Sequence, residues 1–201
     1  RAIACGLSAL GFKRGDRLAI IGDNRPRLYW AMAAAQCLGG VPVTLYQDSV
    51  AEEMAFVLND AEVRFAVVED QEQVDKLTEV RDRVPTLEHI LYDDPRGMRH
   101  YGQDFLHSFS EVLGGGRVQD DANPALFDQE ALATKAGDPA IMLYTSGTTG
   151  KPKGVVHTYH SMIVTARNSV EAEGLTDREE VLAYLPMAWV GDNLFSYTQS
   201  M

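Results

Sequence analysis

The sequence predicts an α/β fold of mainly parallel sheets flanked by helices. Three observations predict it. Short apolar runs such as Arg17–Ile21, Val41–Leu45 and Val63–Val68 have the length and branched content of buried strands. Helical patterns separate them, so strand, helix and strand follow one another at βαβ spacing, which calls for right-handed crossovers. Finally, a glycine- and hydroxyl-rich stretch, Tyr144–Gly154, directly follows the apolar run Ala140–Leu143. Ligand loops of a doubly wound sheet lie at the carboxyl ends of its strands.

Taken in order, Ile3, Leu7 and Leu10 mark a first helix ending at Gly11, a residue suited to a helix C-terminus. After strand Arg17–Ile21, Asn24 can cap a helix with Pro26 in its first turn. That helix runs to about Leu38 and stops at Gly39-Gly40. Its apolar stretch Tyr29–Ala35 predicts burial, Trp30 included. Pro42 sits near the start of strand Val41–Leu45, where a missing N–H is tolerated. Ser49 and Glu52 have capping-box spacing for a helix from Val50 to about Asn59. Strand Val63–Val68, an amphipathic helix Glu69–Arg83 with Val74, Leu77 and Val80 inward, and strand Leu87–Tyr92 close the series. From Asp93 to Gly116 the pattern weakens, and His100, His107 and the nearby acids lack metal-site spacing. Ser108 and Glu111 suit a short capped helix that Gly114-Gly115-Gly116 ends, and a further helix spans roughly Pro124–Lys135. Beyond the glycine-rich stretch come a short strand Val155–His157, a helix Tyr159–Glu173 ended by Gly174, and a strand Val181–Leu185 ended by Pro186. These elements divide into a first α/β portion, 1–135, and a second, 136–201, which carries the loop.

Composition narrows the function classes. The chain has 201 residues, is 45% hydrophobic and 23% charged, and supports a real core. Its net charge of −11 argues against nucleic acid binding through a general basic surface. No run is long and apolar enough for a membrane span. Cys5 and Cys37 lie inside apolar helical patterns and read as small core residues, which fits a reducing, cytoplasmic setting. Arg1 enters an apolar helical pattern at once, and Ser196–Met201 ends without a cap, so the chain reads as an excised piece of a longer protein.

The loop carries the chemistry. Gly147, Gly150 and Gly154 permit positive φ and close approach of a ligand to the backbone. Successive free N–H groups in such a turn form an anion-binding nest. Thr145, Ser146, Thr148 and Thr149 add hydroxyls, and Lys151 and Lys153 add charge. Donors and cations with no acid among them suit a polyphosphate. A solvated hairpin uses similar residues, but the complete run is far longer than a turn requires. It departs from the ordinary P-loop, because the fifth residue after Gly147 is Pro152.

The run Tyr144-Thr145-Ser146-Gly147-Thr148-Thr149-Gly150-Lys151-Pro152-Lys153-Gly154-Val155 resembles the signature loop of the adenylate-forming superfamily. Gly15–Ile20, Asn24-Arg25-Pro26 and Leu182–Trp189 are most similar to long-chain fatty acyl-CoA synthetases of the AMP-forming type. The resemblance implies part of the N-terminal domain of such a synthetase, with the C-terminal domain absent. It implies ATP, Mg2+ and coenzyme A as cofactors or co-substrates and a fatty acid as substrate. It assigns ATP phosphates to Thr145, Ser146, Gly147, Thr148, Thr149, Gly150, Lys151, Lys153 and Gly154, with Thr145 and Lys153 supporting catalysis. Trp189, Val190 and Gly191 fall where the acyl pocket is lined. Many family members have histidine where this chain has Trp189, which here offers a flat wall and one N–H donor. Asp192 stands open between a helix cap and a pocket acid.

The metal ligands, adenine-binding segment and catalytic lysine of the family belong to regions beyond Met201, so the piece is expected to be inactive alone. Its expected partners are the remainder of its own polypeptide, a membrane surface touched peripherally by the full protein, and further copies of itself through surface that other strands would cover. Two other functions stay open: a ligase for an aryl or amino acid carboxylate, and a non-catalytic nucleotide-binding protein.

Overall fold

The computed structural model describes residues 1–145 and 150–201. Ser146, Gly147, Thr148 and Thr149, all assigned to phosphate binding above, lie outside the described residues. The elements are α1 (Ala2–Ala9), β1 (Arg17–Ile21), α2 (Pro26–Cys37), β2 (Val41–Leu45), α3 (Ala51–Asp60), β3 (Phe65–Val68), α4 (Gln71–Val80) and β4 (His89–Tyr92). There follow β5 (Leu106–Ser108), α5 (Phe109–Ala122), α6 (Leu126–Leu132), β6 (Pro139–Thr145), β7 (Lys153–Thr158), α7 (Tyr159–Glu173) and a π-helix, Asp192–Thr198.

The strands form one seven-stranded sheet in the order β5-β4-β3-β1-β2-β6-β7. Every neighbouring pair is parallel except the β6–β7 hairpin. The predicted α/β class with mainly parallel pairing is the observed one. Side chains alternate across the sheet. Leu18, Ile20, Phe65, Val67 and Leu91 pack under α1, α2 and α5 on one face. Ala19, Ile21, Val43, Ala66 and Val68 pack under α3 and α4 on the other.

Several expectations need correction. Asn24 does not cap α2; Arg25 occupies that position, and no side chain makes the cap bond. Trp30 is 52% exposed, because Leu28, Ala31, Met32 and Ala35 take the buried stripe of α2. Ser49 and Glu52 form no capping box, since Val50 is the N-cap of α3 and Glu52 reaches Arg83 instead, at 2.6 Å. Leu87–Tyr92 does not close the series: the short β5 pairs beside β4. Val181–Leu185 forms no strand. A strand needs a partner for its backbone, and no described strand pairs there; Leu182 and Tyr184 are exposed.

The glycine run does not end α5 either. The predicted Ser108–Glu111 capping box is present, but the helix continues to Ala122. Packing against α1 explains this. A Cβ on Gly116 would lie 1.9 Å from the carbonyl oxygen of Ala2, and one on Gly6 would lie 2.3 Å from that of Val112. The two helices therefore touch backbone to backbone, and this close approach offsets the poor helix propensity of glycine. Gly114 and Gly115 face open space. Gly116→Ala should cost on the order of 1–3 kcal/mol through overpacking. Gly114→Ala should instead stabilise by about 0.5–1 kcal/mol. Urea midpoints of the two variants moving in the same direction would contradict this packing.

Between β4 and β5, His89 Nδ1 lies 3.0 Å from His107 Nε2, and His89 stacks on Phe65. Burial pulls both imidazoles below the ordinary value, and their mutual repulsion adds to this at His89. The unfolded chain takes up these protons near pH 6.5, whereas the folded chain resists until lower pH. Stability is therefore complete above about pH 6.5 and falls as the pH drops through the depressed values. Urea titrations at pH 7.5 and 5.5 should show the loss, and His107→Gln should shrink it.

Candidate functional site

The site is built at the carboxyl ends of β1, β2 and β6. Chain leaving β1 enters α2 on one face of the sheet, and chain leaving β2 enters α3 on the other. Divergence of this kind opens a crevice beside the strand ends. The turn after β1 is fixed by Glu69, which follows β3. Its carboxylate accepts from the Asp23 N–H at 2.7 Å and from Arg25 Nε at 2.7 Å.

Two clefts flank Leu45-Tyr46 at the end of β2. One, of about 440 Å³, is lined by Tyr144, Thr145, Gly150 and Pro152 from the loop and by Ser49 and Glu53 near the start of α3. The other, of about 300 Å³, is lined by Asp23 and Asn24 after β1, Gln47 after β2, and Met187 and Trp189. The fold thus brings the loop and the Pro186–Trp189 segment to opposite sides of one strand end. A larger cavity of about 510 Å³ lies elsewhere, between α2, α7 and the π-helix, and no residue assigned above to phosphates or acyl group lines it.

Thr145 ends β6, exposed, opposite Lys153, which begins β7. Gly150 has φ +89°, a backbone state that suits glycine. Lys151 is exposed, with its Nζ 5.8 Å from the centre of the Phe56 ring. Gly154 is extended within β7, where a Cβ would lie 3.2 Å from the Tyr144 ring. Tyr144 donates to Asp60 at 2.6 Å, and burial followed by that bond raises its hydroxyl pKa.

Trp189 and Val190 are about half-exposed and belong to no core. Gly191 precedes the π-helix, and a Cβ on it would lie 2.9 Å from Leu185. Asp192 is neither a cap nor an exposed pocket acid. It is fully buried, and Tyr29 Oη donates to it at 2.9 Å while Asn24 Nδ2 donates at 3.0 Å. Asn24 was missed as a tether because Asn before Arg-Pro reads locally as a cap. The Tyr29–Asp192 contact spans 163 residues and left no local signal. Burial pushes both cysteine thiols up, so neither is a ready nucleophile. Among the described residues no group of three or more His, Cys, Asp or Glu could hold a metal ion, and no helix is long and apolar enough to cross a membrane.

A parallel α/β sheet with a glycine- and lysine-bearing loop beside a strand-end crevice defines a nucleotide-binding type of domain. The chain matches the AMP-binding enzyme family over residues 1–198 and belongs to it. It is 30% identical over 206 residues to a long-chain-fatty-acid–CoA ligase of Xenopus laevis, covering 100% of this chain and 27% of the relative. It is 31% identical over 194 residues to the long-chain-fatty-acid–CoA ligase FadD15 of Mycobacterium bovis, covering 94% of this chain and 30% of that protein. The inhibitor-bound N-terminal domain of FACL13 from Mycobacterium tuberculosis superposes with a TM-score of 0.77 at 26% identity, over 99% of this chain and 46% of that one. The chain spans 27% of the length of the rat ligase relative.

Desolvation raises the Asp192 carboxyl above its ordinary value of 3.8, against the hydrogen bonds from Tyr29, Ser196 and Asn24. Between that value and the raised one, the folded chain keeps a proton that the unfolded chain has lost. Stability attributable to Asp192 therefore falls as the pH rises through this window. Relative to the wild type, Asp192→Asn should gain stability as the pH rises from about 4, then level off. A pH-independent difference in urea midpoint would exclude this titration.

Proposed function

We propose that this chain supplies the phosphate-binding loop and one wall of the acyl pocket of a fatty-acid–CoA ligase. In this reading a fatty acid carboxylate attacks the α-phosphorus of Mg-ATP. The bond to the β-phosphate oxygen breaks, giving acyl-adenylate and pyrophosphate. The coenzyme A thiol then forms the thioester, and AMP leaves. The observation that carries the reading is the loop beside the end of β2, with the exposed cations Lys151 and Lys153 and the positive-φ Gly150. The names of the curated relatives supply the substrate class, at 26–31% identity.

Negative charge builds on the departing pyrophosphate. Fixed donors and lysines near that position lower the barrier. Lys153 is the charge partner in this reading, and Thr145 and Ser146 contact phosphate oxygens. Attack needs no general base, because a carboxylic acid is already ionised at neutral pH. Trp189, Val190 and Gly191 face the acyl group. Magnesium is part of the proposed reaction, but the described residues offer no His, Cys, Asp or Glu group that could hold it.

In carboxylate-dependent ATP–pyrophosphate exchange by the whole protein, palmitate should support exchange. Lys153→Ala should reduce it by about a hundredfold or more, as loss of a fixed transition-state charge does. The 201-residue chain alone should form no acyl-AMP. Exchange with benzoate or amino acids but not palmitate would replace the substrate class. No exchange with any acid would reject the ligase reading.

A further inference from the structure

The stretch Leu185–Trp189 has no strand partner, yet alternate carbonyls along it are held by side-chain amides. Asn24 Nδ2 donates to the Leu185 carbonyl at 3.1 Å. Asn193 Nδ2 donates to those of Met187 and Trp189, each at 2.8 Å. Asn24 is in turn held by Asp192 at 3.0 Å and Tyr29 at 2.6 Å, and Tyr29 Oη donates to Asp192. The Asn24 amide has two hydrogens for these three acceptors, so one hydrogen is shared between two of them. Asp192 and Asn193 are both fully buried, and among the described residues no cation pairs with Asp192. An unpaired buried carboxylate is costly. Here it ties the first residue of the π-helix to Asn24 in the turn after β1 and to Tyr29 of α2.

We infer that Asn24, Tyr29, Asp192 and Asn193 are positioning residues that fix the backbone of Leu185–Trp189 and so hold the Trp189 indole as a rigid wall of the crevice beside β1 and β2. None of the four lies on the phosphate loop. Asp192 and Asn193 open the π-helix, so that helix carries the clamp for the segment preceding it. π-Helical turns recur at functional sites. The effect on substrate rests on the proposed ligase function; the effect on Trp189 does not.

Two readouts separate them. The chain has two tryptophans, so a Trp30→Phe background isolates the fluorescence of Trp189. Acrylamide quenching of Trp189 should rise about twofold in Asn193→Ala and Asp192→Leu, as expected when members of a buried polar network are removed. Asp192→Asn, which keeps an acceptor for Tyr29, should restore most of the protection. If Asp192→Leu does not fold, Asn193→Ala carries the test. In the whole protein, Asn193→Ala should raise KM for palmitate about tenfold, with kcat changed less, because a displaced wall loses substrate positioning. KM for octanoate, which reaches less of the wall, should move less. Unchanged Trp189 quenching in the folded variants overturns the inference. Altered quenching in a protein with no carboxylate-dependent exchange upholds the clamp and rejects the ligase reading.

Discussion

The pairing of β2 with both its neighbours is the constraint on which the site depends. All five residues of β2 are buried, so neither edge nor face of the strand is available to water. On one side it runs in register with β1 from Arg17↔Val41 to Ile21↔Leu45. On the other, Val43↔Met142 and Thr44↔Leu143 attach β6 and, through it, the β7 hairpin. This short parallel pairing continues the sheet from the first portion of the chain into the portion carrying the loop. Two residue pairs are few for a parallel ladder, and side-chain bonds reinforce the joint. Gln36 of α2 donates to the Ala140 carbonyl at 2.8 Å, while Tyr159 and Tyr197 donate to the Gln36 carbonyl and side-chain oxygens.

Ion pairs contribute little by comparison. Most involve an exposed partner, and such pairs are worth roughly 0–1 kcal/mol. Arg64 differs, because it bridges Asp16 and Glu88 at 2.6 and 2.5 Å from a partly buried position near the amino ends of β1 and β4. Its distance from the strand ends that carry the site follows from parallel topology. All six strands from β1 to β6 point their carboxyl ends the same way, so stabilising charge networks and ligand-facing loops can occupy opposite ends of the strands.

What was legible in the sequence follows the range of the interactions. β1 and β2 were read to the residue, since continuous apolar runs between glycine-rich turns depend on local pattern. Helix α7, with its Thr158 cap and Gly174 in the left-handed region, was equally local. The failures involve distant partners. Helix α5 outlasts its glycines because α1, more than 100 residues earlier, demands close contact. The apolar run Val181–Leu185 has strand composition but no described strand beside it, and composition alone cannot provide one. At the site, Gly150, Lys151 and Lys153 belong to one contiguous motif, so their nearness to one another needs no long-range contact. Asn24, Tyr29 and Asp192 meet only in space, and each had a plausible local reading that concealed the contact.

The acidity of the chain also bears on its loop. A net charge of −11 opposes a polyphosphate at long range. At physiological salt, however, screening confines exposed charges to about 8 Å, so the immediate surroundings decide. Helix α3 carries three carboxylates, Glu52, Glu53 and Asp60, and two are already engaged: Asp60 accepts from Tyr144, and Glu52 pairs with Arg83. No described carboxylate pairs with Lys151 or Lys153. Engagement of Asp60 and Glu52 thus draws two of the three α3 acids away from the loop lysines, while Glu53 still lines the cleft beside them.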